Sequence, residues 1–298
     1  MRGARPQRAL ELTLLRDVPL RDGERVDVAL SGGPDSVALA AALHAAARTR
    51  NYELALVHVN HQLRPSSWQD EAVALRVAAA LRLPIEVVAL DEGPRDEGSL
   101  RDRRYAALLA AAQRRGATAL ATAHTAEDQT ETLLLALFRG TGPEGLAGIP
   151  ARRPLGAGVD LCRPFLRVDH VTLRRYAAGQ GLPWALDPAN EAADYRRNAV
   201  RQALAELRPL FPGLDRAAAR AAELVAAETS GDERAQLRRG VREALRRRSG
   251  LKDVHFERIE AAVRAISEGR SGTFELRGGR ALIVDDGQAR VEEVERPR

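Results

Sequence analysis

The 298-residue sequence holds one cysteine, and aromatics make up only 4% of it. The lone Cys162 excludes a disulfide framework, a cysteine-rich zinc site and a cysteine-ligated iron–sulfur cluster. It lies in VDLCRPF and reads as a core strand residue. So few aromatics cannot support nucleic-acid binding dominated by base stacking. No uncharged apolar run approaches the ~18–20 residues of a membrane span. The opening MRGARPQRALELTLLRD carries Glu11 and Arg16 where a secretory signal would be apolar. A soluble, cytoplasmic protein with no membrane partner is therefore expected.

Lysine is almost missing too. Lys252 is the only one among 46 basic residues, which face 41 acidic ones for a net charge of +5. A GC-rich coding sequence produces such an arginine- and alanine-rich chain, and that bias suffices as a cause. Guanidinium groups nonetheless pair with phosphates through two parallel bonds. Apolar residues form 45% of the chain, enough for real cores. The length suggests two domains at ~150 residues each.

Up to Phe138, strand and helix patterns alternate. Short apolar runs at Val26–Leu30, Leu54–Val59, Ile85–Leu90 and Ala117–His124 read as strands. Helical patterns occupy Ser36–Ala47, Gln69–Arg82, Leu100–Arg115 and Glu127–Phe138. This alternation implies an α/β fold, a parallel sheet with helices on both faces. Ligands bind such sheets beyond the strand C-termini. SGGPDS, VNHQLR and HTAEDQ all follow strand ends, so they should share one rim.

From Arg139 to Gly158 the chain is rich in Gly and Pro and reads as an extended loop. A strand (Asp160–Phe165), a helix (Asp169–Gly179) and a basic helix starting near Arg196 follow. Pro209 and Pro212 mark a boundary. Beyond it, Leu214–Glu228, Arg234–Arg248 and His255–Ser267 read as helices. The tail from Phe274 to Val294 alternates in short runs with Gly-Gly and Asp-Gly punctuation, as a small hairpin sheet would. Residues 1–208 thus form one domain, and 212–298 a small helical or α+β domain at the C-terminal end.

Ser31-Gly32-Gly33-Pro34-Asp35-Ser36 sits between an expected strand and an expected helix. Its two glycines let the backbone approach an anion closely and adopt positive φ. The helix behind offers free N–H groups and a positive dipole end. Ser31 and Ser36 add hydroxyls, and Asp35 is placed to hold a magnesium ion near the phosphates. The loop has no lysine, so it is not of the GxxxxGK(S/T) type. A bare Gly-Gly turn before a helix, taken alone, is usually just a turn.

The hexapeptide resembles the SGGxDS pyrophosphate loop of the N-type ATP pyrophosphatases. That superfamily cleaves ATP to AMP and pyrophosphate, adenylating an oxygen that a nucleophile then displaces. Four further segments resemble one of its families, the tRNA(Ile)-lysidine synthetases. His58-Val59-Asn60-His61-Gln62-Leu63-Arg64 is similar to that family's HVNHGLR, with Gln62 in place of glycine. Arg101-Asp102-Arg103-Arg104-Tyr105 fits R-x-x-R-Y. His124 to Thr132, then Arg139-Gly140-Thr141-Gly142, fits H-x-x-x-D-Q-x-E-T and RGxG. Asp187-Pro188-Ala189-Asn190, then Tyr195-Arg196-Arg197-Asn198 and Arg201, fits D-P-x-N and Y-x-R-N-x-x-R.

The resemblance implies ATP-dependent attachment of free lysine to C2 of the wobble cytidine, position 34, of the isoleucine tRNA with a CAU anticodon. It implies an adenylated cytidine intermediate, with ATP as co-substrate and Mg2+ bound at Asp35. It makes Asp35, Arg101, His124, Asp128 and Glu131 catalytic. Ser31, Gly32, Gly33, Pro34, Asp35, Ser36, His61, Arg139 and Gly140 would bind ATP, and Arg197, Asn198 and Arg201 would bind tRNA. Residues 1–208 become the catalytic domain and 212–298 a tRNA-binding domain; a homodimer stays open.

The residues carry their own readings beside this one. Asp128 and Glu131 share one helix face at the rim. There they could orient an ammonium or relieve it of a proton. They equally suit a plain helix start, where the dipole favours carboxylates. Arg101 could stabilise charge as pyrophosphate leaves, or be one more surface arginine. His124 and His61 could pack or cap. Arg196–Arg220 and Arg238–Arg248 are basic tracts, readable as solvated faces or as a phosphate track.

Three other functions fit less well. A tRNA thiolase of the same superfamily needs cysteines that this chain lacks. An ammonia-using synthetase, such as NAD synthetase, leaves Asp187–Arg201 and the basic tracts without a purpose. A catalytically dead RNA-binding protein would not need Asp35, Arg101, Asp128 and Glu131. Replacing Arg246, Arg247 and Arg248 together by Ala is expected to weaken tRNA binding. The log–log salt slope should flatten by about 2 to 3 if each contacts a phosphate. Filter binding across a salt series checks this, and an unchanged slope makes them a solvated face.

Overall fold

The computed structural model describes residues 10–11, 18–60, 67–90, 93–94, 96–185, 195–231, 233–248, 256–276 and 280–293. The first elements are β1 (Arg25–Ala29), α1 (Pro34–Arg50), β2 (Glu53–Asn60), α2 (Ser67–Leu81), β3 (Ile85–Ala89) and α3 (Glu97–Arg115). Next come β4 (Ala119–Ala121), α4 (Ala126–Phe138), α5 (Pro143–Leu146), β5 (Arg152–Gly156), β6 (Val159–Cys162) and α6 (His170–Gly179). Then follow α7 (Tyr195–Leu210), α8 (Leu214–Thr229), α9 (Glu233–Arg248) and α10 (Phe256–Ser267). The chain closes with β7 (Gly272–Leu276), β8 (Arg280–Asp285) and β9 (Gln288–Glu293). Contacts divide it into one unit of residues 1–141 and 148–222 and a second of 142–147 and 223–298.

The first unit is built on a six-stranded sheet in the order β3-β2-β1-β4-β6-β5. β1 lies inside it, with Val28 opposite Leu56 of β2 and Ala121 of β4, both parallel. Alternate side chains of each strand point to opposite faces. Val26, Val28, Leu54, Leu56, Ala119 and Ala121 therefore pack in one core with α1, α2 and α6. Val57, Val59, Leu120 and Leu161 pack in the other, against Leu108, Ala111 and Ala112 of α3. Helix α1 buries residues on all sides, from Ser36 to Ala46, which explains why it is alanine-rich rather than amphipathic.

One sequence expectation changes. Arg139–Gly158 is not one extended loop, for it contains α5 and the edge strand β5, antiparallel to β6. Pro154 lacks an N–H and so conceals a strand in the sequence, yet an edge position with a register shift at Pro154/Gly156 tolerates it. Contacts place the division between units at 222/223, inside α8. Asp215 of α8 pairs with Arg208 at 2.8 Å, and Ala219 and Ala222 are buried, so the first turns of α8 go with the first unit.

The second unit packs α9 and α10 on the antiparallel sheet β7-β8-β9. Leu245, Ile259, Val263, Leu282 and Val284 form its core. The Asp-Gly turn that the sequence marks is present: Asp286 and Gly287 both have positive φ, 48° and 72°, as a two-residue hairpin requires.

One buried charge stands out beneath this frame. Asp27 of β1 is fully buried and takes a 2.8 Å bond from Arg115 in the last turn of α3. Burial raises its pKa, and Arg115 opposes that rise. Removing one partner of a buried pair strands the other. Arg115→Ala is therefore expected to cost about 3 kcal/mol at pH 7. The folded state holds the Asp27 proton more readily than the unfolded chain. The loss should therefore shrink as pH falls through the raised pKa. Urea unfolding across a pH series measures both effects.

Candidate active site

The phosphate loop follows β1 directly. Gly32 has φ +91°, and a Cβ there would meet the Asp70 carbonyl oxygen at 3.2 Å. Only glycine fits both the conformation and the close approach. Gly33 is the N-cap of α1 and has no side chain to satisfy the first N–H groups, while Pro34 starts the helix. Those N–H groups face outward at the positive dipole end. The Ser36 hydroxyl donates to the Gly33 carbonyl at 2.8 Å, and the Ser31 hydroxyl lies 3.1 Å from it. His58 of β2 donates from Nδ1 to the Leu30 carbonyl at 2.7 Å, tying the loop's base to the neighbouring strand.

Three helix N-termini meet beside this loop, and His170, the first residue of α6, connects them. Its Nδ1 donates to Asp35 Oδ2 of α1 at 2.8 Å. Its backbone N–H donates to Glu127 Oε1 of α4 at 3.0 Å. Its Nε2 lies 3.4 Å from Oγ1 of Thr125, the N-cap of α4. Burial works against the charged imidazole. The bond and charge of Asp35, with Glu127 and Asp128, outweigh burial and raise the His170 pKa to about 9. Asp35 Oδ1 is buried without a hydrogen-bond partner among the described residues.

Helix α4 carries the paired carboxylates. Asp128 closes a capping box: its Oδ2 accepts from the Thr125 N–H at 2.9 Å and from the Thr125 hydroxyl at 3.2 Å. Glu131 is buried and accepts from Arg201 Nε of α7 at 2.7 Å, with Arg197 Nε 3.6 Å from its other oxygen. Burial raises the Glu131 pKa, Arg201 opposes that, and Asp128 adds to the rise. His124 lies three residues past β4, with Nδ1 3.0 Å from the Thr122 hydroxyl. Burial and the charges of Arg163, Arg104 and Arg101 outweigh Asp128 and push it down to about 4. It is a neutral imidazole at pH 7.

The expected residues are thus partly gathered. Ser31 to Ser36 and Asp35, His124, Asp128 and Glu131 follow β1 and β4 at one sheet rim, and Arg101 stands in the second turn of α3. Arg139 and Gly140 do not join them. They close the far end of α4, eleven residues beyond Asp128, or about 16 Å along the helix. Arg197 and Arg201 turn toward Glu131. Asn198 sits half-buried between them in sequence. His61 and Gln62 lie outside the described residues, as do the side chains of Arg246, Arg247 and Arg248. Sequence reasoning missed His170 and Glu127. Asp169, the N-cap of α6, was a local signal of a helix start, but nothing local pointed to Asp35, 135 positions away.

A glycine cradle between a parallel strand and a helix, with a carboxylate in the helix's first turn, defines a PP-loop enzyme. The family model described as the PP-loop domain matches residues 6–208. A U34-tRNA thiolase from Methanococcus maripaludis, solved with its iron–sulfur cluster, shares the fold with a TM-score of 0.62. It is 20% identical and covers 74% of this chain and 78% of its own. The tRNA(Ile)-lysidine synthase of Salinispora tropica is 45% identical over 226 residues, 73% of this chain and 67% of the relative. That of Ralstonia nicotianae is 42% identical over 214 residues, 67% of this chain and 45% of the relative. The chain belongs to the tRNA(Ile)-lysidine synthase family, a family of ligases that use ATP.

The two histidines of the site titrate in opposite directions. His124 should titrate near 4 and His170 near 9, on either side of the ordinary 6.5. From about 4 to 6.5 the unfolded chain alone binds the His124 proton, so stability rises with pH there. From 6.5 to about 9 the folded chain alone holds the His170 proton, so stability falls. Ring C–H shifts followed by NMR, assigned with His124→Gln and His170→Gln, check both midpoints.

Proposed function

We propose that this enzyme joins free lysine to C2 of the wobble cytidine of a CAU-anticodon isoleucine tRNA, using ATP and releasing AMP and pyrophosphate. The observation that carries the reading is the cradle itself: the left-handed Gly32, the uncapped start of α1 and the unpartnered Asp35 Oδ1. The likeness to tRNA(Ile)-lysidine synthases supports the choice of RNA.

The steps follow from charge. Ser31 to Ser36 and the α1 N-terminus hold the β- and γ-phosphates. The cytidine O2 attacks the α-phosphorus and pyrophosphate leaves, with Arg101 stabilising the charge that builds up. The base must leave its stack for this. The ε-amine of lysine then attacks C2, and AMP departs with O2. Asp128 and Glu131 draw in the ammonium. Glu131, with its raised pKa, is the better acceptor for the amine's proton. Arg197 and Arg201 hold Glu131 in place, and the basic face of α7 follows the RNA backbone.

Magnesium fits Asp35. A lone carboxylate oxygen without another partner, beside a phosphate cradle, is what Mg2+ takes when nucleotide phosphates supply its other oxygens. When bound there it would neutralise phosphate charge. Residues 1–208 would carry this chemistry and 212–298 would help to hold tRNA.

The test is incorporation of labelled lysine with isoleucine and methionine tRNA transcripts side by side, alongside tRNA-dependent ATP–pyrophosphate exchange. Lysine is expected to enter the isoleucine transcript; incorporation into no tRNA sinks the reading. Asp35→Ala should lower AMP formation by at least about a hundredfold, the scale of one lost electrostatic contact to the transition state. Near-normal AMP formation would remove Asp35 from that role.

A further inference from the structure

A cluster of cations lies at the same sheet's edge, and no carboxylate of the described residues pairs with it. The ring of Tyr105 in α3 is approached by the guanidinium carbons of Arg104, Arg101 and Arg153 at 5.4, 5.8 and 6.0 Å. Arg163, just past β6, lies against the same tyrosine. None of the four makes an ion pair with a described residue, whereas Arg115, Arg152, Arg201 and Arg208 all do. Two members are deeply buried. Arg163 is 3% exposed; its Nη1 donates to the Pro150 carbonyl at 2.7 Å, and its Nε has no hydrogen-bond partner among the described residues, while Tyr105 beside it is 9% exposed.

Packing alone does not account for this group. A ring face attracts a guanidinium only weakly and cannot balance three full charges. Like charges held this close repel, all the more when water is excluded. Burial, Arg153 and Arg101 all act against the charge on Arg163, Tyr105 and the Pro150 carbonyl favour it, and burial prevails to lower its pKa. The cluster grades from the exposed Arg101 through half-buried Arg104 and Arg153 to the buried Arg163, so a ligand can reach it from solvent. Guanidinium forks converging from several directions match the oxygens of a phosphate group.

We propose that Arg101, Arg104, Arg153 and Arg163, gathered around Tyr105, bind a phosphate group of an incoming substrate. Two sources carry that group: the nucleotide, and the RNA backbone beside the target base. The inference rests on the proposed function only for its choice of RNA. Binding is the readout, so a failure of lysine transfer leaves it standing.

The experiment uses the full chain with Arg104→Gln and, separately, Arg153→Gln. Thermal unfolding is followed without ligand, and affinity is measured for inorganic pyrophosphate, magnesium ATP and an unmodified tRNA transcript in turn. Ligand-free variants should unfold no lower than the parent, because repulsion is relieved. Affinity for at least one probe should fall by about tenfold, the loss of one charge-assisted contact. Loss for pyrophosphate or ATP names the nucleotide as the source, and loss for the transcript names the RNA backbone. Unchanged affinity for all three overturns the site, whatever the unfolding midpoint does.

Discussion

The site depends on the meeting of three helix N-termini at His170. α1, α4 and α6 each bring a positive dipole end to one place, and such ends repel one another unless negative charge intervenes. Asp35, Glu127 and Asp128 supply it, each in the first turn of its helix. His170 then distributes the contacts, ring to Asp35 and backbone to Glu127. The arrangement requires a parallel sheet. Only parallel strands end on the same side, and only there do the helices that follow them start together.

Charge divides the sheet's C-terminal side into two halves. Below β1 and β4 the carboxylates gather; around α3 and beyond β6 the unpaired arginines gather. His124 lies between them and feels both. Asp128 pulls its pKa up, while burial and Arg163, Arg104 and Arg101 push it down further. The proposed reaction, which brings together a polyphosphate and an ammonium, needs both polarities close to one another. Under that proposal a uniformly basic rim would hold the nucleotide and repel the amine.

The parts legible in the sequence were those fixed by local rules. Val26–Leu30 followed by SGGPDS announces a strand, a left-handed glycine and a helix start, and the structure has all three. The Asp286-Gly287 turn is local in the same way. β5 escaped because Pro154 disguises an edge strand. His170 escaped because its meaning is a contact with Asp35 across 135 positions. Arg197 and Arg201 were visible as charge but not as partners of Glu131. Sequence reports that an arginine exists, and only the fold reports which acid it faces.

That distinction changes the weight of arginine in this chain. With one lysine in the whole sequence, guanidinium serves every cationic purpose, structural ones included. Arg152 bridges Glu24 at 2.6 Å and Asp160 at 2.7 Å, and Arg115 neutralises Asp27 inside the sheet. A planar fork can satisfy two carboxylates at once, which suits it to such clips. Counting arginines therefore measures composition, and a net charge of +5 says little about partners. Subtracting the paired ones leaves a smaller set, Arg101, Arg104, Arg153 and Arg163 among them, whose charge no carboxylate of the described residues offsets. Holding several cations together costs stability, which is the physical reason to look for an anionic ligand there rather than anywhere else on an arginine-rich surface.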